Sequence, residues 1–193
     1  MKHWPSQLFP IILLTLLAGL SFILSIAVDR GEPPANGKQR HDPDAIAENF
    51  SIKRFDQTGQ LKYRLIAPYM VHYPDDDSSL LNWPTFVSYR PNAEPVITSS
   101  QHAKASSGGD VIFLWENVIA HREQSAQRMA MVARMPDLTI QTETGFAFTN
   151  SPVEITQGNS WLKGTGMDLD NNNSTFVLHS QVTGLYFSTK AKP

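Results

Sequence analysis

Charged side chains are missing from the chain between Trp4 and Val28, and Leu8–Val28 reads LFPIILLTLLAGLSFILSIAV. At 1.5 Å rise per residue those 21 positions make a helix of roughly 30 Å, the thickness of a bilayer's hydrocarbon core. Pro10 falls within the first turn of a helix that begins at Leu8, where its missing N–H costs little. Ser25-Ile26-Ala27 could also serve as a cleavage site of a secretory signal, although the apolar region of a signal is shorter, about 7–15 residues. Length favours an uncleaved anchor. Both readings carry the rest of the chain across a membrane. Lys2 and the N-terminal amine before the span, with Asp29, Arg30 and Glu32 after it, give the positive-inside rule only a small preference for a cytoplasmic N-terminus.

From Arg30 to Ala47 the pattern stops: three prolines, two glycines and few large apolar side chains describe an extended tether. The expected organisation is therefore an anchor over residues 1–29 with its span at about 8–28, a linker over 30–47, and a domain over 48–193. Beyond the linker, apolar positions recur every second residue. Phe50 and Ile52 alternate with polar side chains, Asp56 and Gly59 bracket a turn, and Leu61, Tyr63 and Leu65 return with Lys62 and Arg64 on the other face. Similar runs follow at 69–73, 85–90, 96–100, 111–115, 118–122, 129–134, 138–142, 146–149, 153–156, 160–162, 175–178 and 182–188, separated by Pro, Gly, Asn and Asp. No later stretch carries a 3.6-residue apolar stripe over three turns. The domain reads as all-β.

Three stretches resemble one another: Lys104…Phe113-Leu114-Trp115…Val118, Asp137…Phe146-Ala147-Phe148…Val153 and Asp168…Phe176-Val177-Leu178…Val182. Hairpins of one shape stack into an elongated roll with a free edge at each end. An isolated domain with such edges is expected to be able to form a homodimer.

Composition narrows the chemistry. The 193 residues hold 16 Lys and Arg against 18 Asp and Glu, and beyond residue 30 the balance is 14 against 17. A net −3 gives no electrostatic basis for nucleic-acid binding. With no cysteine, disulfides, thiolate catalysis and Cys-ligated zinc are excluded. The six histidines show no metal-ligand spacing, so no metal or other cofactor is expected. Asp168–Asn173 looks like a calcium loop but has Asn173 where the sixth-position Gly belongs and His179 at the twelfth position, so a hairpin turn fits better. Asp75-Asp76-Asp77 reads as a solvated loop, and Gly164-Thr165-Gly166 has no helix to cradle a phosphate. Nothing singles out a catalytic pair, and no enzyme is expected; a hydrolase of envelope polysaccharide is a remote rival.

The apolar strand faces carry more information. Phe50 and Ile52, then Tyr63 and Leu65, then Phe113 and Trp115, then Phe148, then Phe176 supply large side chains that either close a core or line an oily slot between sheets.

The order span, linker and β domain, with Gly59-x-Leu61-x-Tyr63-Arg64-Leu65-x-Ala67, resembles the LptC family of lipopolysaccharide export components. Pro84-Thr85-Phe86, Phe113–Val118, Val153–Gly158 and Gly164-x-Gly166-Met167-x-Leu169 extend the likeness along nearly the whole chain. The resemblance implies a twisted, open β-jellyroll of antiparallel strands behind a single N-terminal transmembrane helix. It implies a location at the inner membrane, with the N-terminus cytoplasmic and the domain periplasmic. Lipopolysaccharide would pass from an inner-membrane ABC transporter complex, docked at the N-terminal edge and anchor helix, to a soluble periplasmic LptA-like jellyroll at the C-terminal edge. Phe50, Leu81 and Trp115 fall where the family places lipid-contacting interior residues, and Ile52, Tyr63, Leu65, Phe113, Phe148 and Phe176 join them as interior apolar positions. Gly158, Val182 and Tyr186 are expected to shape the partner edge. The alternative is a scaffold that joins partners by edge-strand addition and never touches lipid.

Overall fold

A computed structural model describes residues 5–29, 41–91, 93–126 and 128–187. It divides into two units, residues 1–40 and 41–193. The expected linker over 30–47 falls largely on residues 30–40, outside those described.

In the first unit a helix, α1 (Pro5–Asp29), carries an uncharged segment, Phe9–Ile26, long and apolar enough to cross a membrane. Its side chains from Phe9 to Ser25 are all exposed within the protein itself, as a bilayer-facing surface would be. Because α1 begins three residues earlier than expected, Pro10 lies in its second turn and removes one backbone hydrogen bond. The Thr15 hydroxyl donates to the Ile11 carbonyl at 2.6 Å, so its polar group needs no water in hydrocarbon.

The second unit is one antiparallel sheet of eleven strands. They are β1 (Ala45–Phe55), β2 (Leu61–Tyr73), β3 (Ser78–Asn82), β4 (Thr85–Arg90), β5 (Ala93–Ser99), β6 (His102–Ala105), β7 (Val111–Arg122), β8 (Met131–Gln141), β9 (Phe146–Gln157), β10 (Ser160–Asp170) and β11 (Thr175–Leu185). β1 starts three residues before the expected domain boundary. At the β1–β2 turn, Asp56 Oδ1 accepts the Thr58 and Gln60 N–H groups at 2.8 and 2.9 Å, as the Asp–Gly bracket predicts.

Several of the runs read separately in the sequence are halves of one strand. Asn49 faces Pro68, Glu116 and Asn117 face Pro136, and Gly166 lies between the register of Pro152 and that of Thr149. Asn49, Glu116, Asn117, Gly166 and Gln181 all have positive φ. At Gly166 (φ +77°) a Cβ would meet the His179 ring at 2.6 Å, so only glycine fits without displacement. The ladder slips at these positions in β7–β8, β8–β9, β9–β10 and β10–β11. The breaks lie side by side across the sheet, and each strand bends there from one layer into the other.

Two facing layers result. In the first, the N-terminal half of β2 pairs with β4, β4 with β5, and β5 with the C-terminal half of β7. In the second, the C-terminal half of β2 pairs with β3, β3 with β6, and β6 with the N-terminal half of β7. Strands β8–β11 continue both layers as a meander. Among the described residues, β1 and β11 each pair on one side alone, which makes this an open jellyroll with an edge at either end.

Strands β3 and β6 carry almost no apolar alternation; β3 was not expected, and β6 only as the strand at Lys104 that opens the first of the three similar stretches. Their inward residues are Leu81, Ala103 and Ala105, all buried, and the small alanines let the layers approach closely. Together with Leu65, Ala67 and Leu114 they form a filled core at this end of the roll.

Candidate functional site

Toward β7–β11 the layers part around a cavity of about 370 Å³. Its first-layer wall is Tyr63, Phe86, Val96, Ala120 and Met135; its second-layer wall is Leu138, Ile140, Met167, Leu169 and Phe176. Each comes from the inward phase of its strand: Phe86 faces Leu65 across β2, and Leu169 faces Ala147 and Phe176. The size falls within the usual range for small-molecule pockets.

Polar side chains take over at the mouth. Lys62, Arg90, Arg122 and Arg128 lie on the first-layer side, and Asn171, Asn172 and Ser174 of the β10–β11 turn on the other. Several contacts bridge the opening. Lys62 Nζ donates to the Glu143 carbonyl at 2.8 Å, and Arg54 pairs with the Glu143 carboxylate at 3.4 Å. Asn171 Nδ2 donates to Ser88 Oγ at 2.8 Å, and Arg90 donates to Ser174. Burial, with repulsion from neighbouring arginines, lowers the pKa of Arg90 and Arg122.

At the opposite, second-layer end the acidic loop is tied to its neighbours, although Asp75 Oδ1 is buried without a hydrogen-bond partner. Lys104 Nζ reaches Asp76 at 2.7 Å and holds its carboxyl down to about 2. His41 pairs with Asp75 at 2.9 Å and stacks on Tyr73 at 3.9 Å. Asp77 takes the Ser107 hydroxyl and one ring nitrogen of His72; Asp44 takes the other at 2.7 Å, and the two carboxylates raise the His72 pKa. The loop expected to be merely solvated is a clip that holds β1, β2, β6 and the turn before β7 together. Asp170 Oδ1, in the stretch that looked like a calcium loop, accepts the Asn172 and Asn173 N–H groups and closes a hairpin. Among the described residues no three His, Asp or Glu side chains are grouped as metal ligands.

The expected interior residues divide. Tyr63 and Phe176 line the cavity. Leu65 and Leu81 are buried in the filled core, and Phe50 packs half-buried against it. Ile52 shares the inward face of its partner Leu65 but stays 45% exposed, because among the described residues β1 is an edge strand that pairs with β2 alone. Phe113, Trp115 and Phe148 are corrected: they lie on the outer face of the second layer. Phe113 is 41% exposed and its ring sits 5.5 Å from that of Trp115, whereas Ile112 and Leu114 point inward and are almost wholly buried. Phe148 rests against Phe146 at 6.2 Å, and its neighbours Ala147 and Thr149 are the buried ones. In these strands both faces carry apolar residues, so alternation alone leaves two phases, and the narrow space between layers takes the smaller set.

Gly158 lies in the β9–β10 turn with φ +56°, and a Cβ there would meet Met129 Sδ at 2.6 Å. Val182 is on the exposed edge strand β11, and Tyr186, 76% exposed, follows its end. The arginines at the mouth were not expected, although their phase was readable: Phe86, Ser88 and Arg90 share a face, as do Val118, Ala120 and Arg122.

The fold and cavity define a class, an open antiparallel jellyroll with an apolar interior and two free edges. The chain belongs to the LptC-related lipopolysaccharide-assembly family, whose model matches residues 11–187. Membership makes it a component of lipopolysaccharide transport, in a family of periplasmic, membrane-anchored proteins. Among solved structures it is similar to LptH of Pseudomonas aeruginosa, described as the LptA homologous periplasmic component of the conserved lipopolysaccharide transport device. That likeness has 5% identity, covers 78% of this chain and 99% of that one, and has a TM-score of 0.47. No curated protein matches the sequence.

Proposed function

We propose that this chain is an inner-membrane-anchored bridge for lipopolysaccharide, with α1 uncleaved, its N-terminus cytoplasmic and the sheet in the periplasm. The domain accepts the glycolipid from an ATP-driven transporter complex at the β1 edge and hands it to a soluble LptA-like jellyroll at the β11 edge. The cavity between the layers carries this reading. Each acyl CH₂ kept from water is worth about 0.8 kcal/mol, so a multi-chain lipid needs a continuous apolar lining to cross an aqueous compartment. Edge strands suit the docking steps, because main-chain hydrogen bonds hold a partner jellyroll without demanding a particular side-chain sequence. An apolar slot sets no direction, which must come from the transporter's ATP hydrolysis.

The bridged mouth favours a second reading, a closed scaffold that joins partners edge to edge without touching lipid. Photo-crosslinkers in living cells separate the two. Placed at Tyr63 or Phe176 they are expected to capture glycolipid, and placed at Trp115, on the outer face, they are not. Capture of protein alone from both cavity positions would select the scaffold.

A further inference from the structure

Arg90 and Arg122 take part in the strand ladders through their backbones, but their side chains and that of Arg128 reach the cavity mouth. Arg90 closes β4, Arg122 closes β7, and Arg128 stands in the connection between β7 and β8. Arg90 and Arg122 leave the inward face of the first layer, where the preceding residues of the same phase, Phe86 and Ala120, belong to the apolar wall. Arg122 is only 9% exposed. The Nε atoms of both Arg90 and Arg122 are buried without a hydrogen-bond partner. Arg122 donates once, to the Met129 carbonyl at 3.3 Å, and Arg90 once, to the Ser174 hydroxyl.

Among the described residues no carboxylate pairs with any of the three. Glu143, the acid at the mouth, is held by Lys62 and Arg54 instead. Cations brought together and partly desolvated without an anion repel one another, and the orphaned Nε–H groups add the cost of unmade hydrogen bonds. An anion entering the mouth removes both costs. Guanidinium forks match the oxygen spacing of a phosphate, and their bonds to it are charge-assisted. The place of the trio adds a second constraint: it ends an oily cavity, so the ligand that satisfies it carries hydrocarbon on one side and an anion on the other.

We infer that Arg90, Arg122 and Arg128 form an anion site that takes a phosphate monoester of a glycolipid headgroup while the attached acyl chains fill the cavity. This rests on the lipid-carrying reading above and adds to it the point of headgroup recognition. Arg90 also contacts the second layer through Ser174, so an occupied site touches both sides of the mouth.

The test is native mass spectrometry of the full chain in a non-ionic detergent. The probes are bisphosphorylated lipid A, the same lipid with both phosphates removed, and inorganic phosphate alone. The wild type is expected to favour the phosphorylated lipid by about tenfold or more, as charge-assisted hydrogen bonds imply. Arg90→Gln/Arg122→Gln/Arg128→Gln should abolish that preference and keep binding of the dephosphorylated form, which also shows that its cavity is folded. Arg128→Gln alone, at an exposed loop position, should weaken the preference without risk to the fold; Arg134→Gln, on the outer face, should leave it intact. Equal wild-type binding of the two lipids, or a preference that survives the triple change, overturns the anion site and leaves the lipid-carrying reading standing. Failure of the wild type to bind either lipid overturns both. Arginine-dependent binding of inorganic phosphate with no phosphate preference among lipids assigns the site to a free anion and overturns the headgroup proposal.

Discussion

The two ends of the roll treat charge in opposite ways. At the second-layer end, Asp44, Asp75, Asp76 and Asp77 each have a named partner in His72, His41, Lys104 or Ser107, and those contacts tie neighbouring strands into a clip beside a filled core. At the cavity mouth, Arg90, Arg122 and Arg128 lie beside space, and among the described residues no carboxylate pairs with them. Paired charges next to packed alanines hold a fold; unpaired charges next to a void make sense only with something that arrives later. Sequence order alone would have suggested the reverse, since the three consecutive aspartates looked like the free group.

The sharpest way to break this contrast is at the mouth. Gly158→Arg forces a side chain onto a positive-φ turn and into the Met129 sulfur, whose backbone carbonyl receives Arg122, and it adds a fourth cation to the trio. We expect a loss of stability of about 1–3 kcal/mol, read by urea denaturation of the full chain, together with impaired lipopolysaccharide export. Unchanged midpoint and export would show that the turn yields freely and that the mouth is less constrained than its geometry indicates.

A smaller and opposite effect is expected from Glu143→Ala. It removes the carboxylate that Arg54 and Lys62 both approach at 3.4 Å, leaves the backbone carbonyl that Lys62 holds, and so loosens part of the bridge between the layers. Exposed pairs of this kind contribute little to stability, so folding should hold while glycolipid capture from Phe176 rises. Reduced capture in a stably folded variant would mean that Glu143 guides lipid rather than bars it.

The smallest effect belongs to the clip, and pH reads it. The folded pKa of His72 is raised above about 6.5, so its contribution is complete below that value and fades as pH rises through the folded pKa. Asp76 behaves oppositely: its contribution is present above about 3.8 and is lost as pH falls through about 2. A Tm profile of the full chain should therefore decline slightly as pH rises above about 6.5, and His72→Gln should flatten that decline. A decline that survives in His72→Gln would assign it to another group.

Much of this molecule was legible in the order of its residues. A run of 21 uncharged positions can satisfy its backbone in hydrocarbon as a helix, and α1 appears where that run lies. The turn at Asp56–Gly59 follows from side-chain capping and a permitted backbone angle, both local properties. Period-two alternation specified strands along nearly the whole domain. It broke at Pro68, Pro136 and Pro152, where the sequence suggested strand ends and the structure has bends, and it stopped after Leu162, short of the bend at Gly166 inside β10. A residue that interrupts a ladder looks the same in sequence whether the chain turns back or only changes layer.

What only the tertiary structure decided was phase and company. Phe113, Trp115 and Phe148 are larger than Ile112, Leu114 and Ala147, and in a strand with two apolar faces size alone pointed to the wrong set. Which face turns inward depends on how closely the opposite layer approaches, and that distance is set by Ala103 and Ala105 on β6, a strand of four residues. The cation trio at the mouth likewise joins residues from β4, β7 and a loop nearly forty positions apart along the chain. Local chemistry fixes what a residue can do, but whether an arginine has a partner depends on which strands the folded sheet brings beside it.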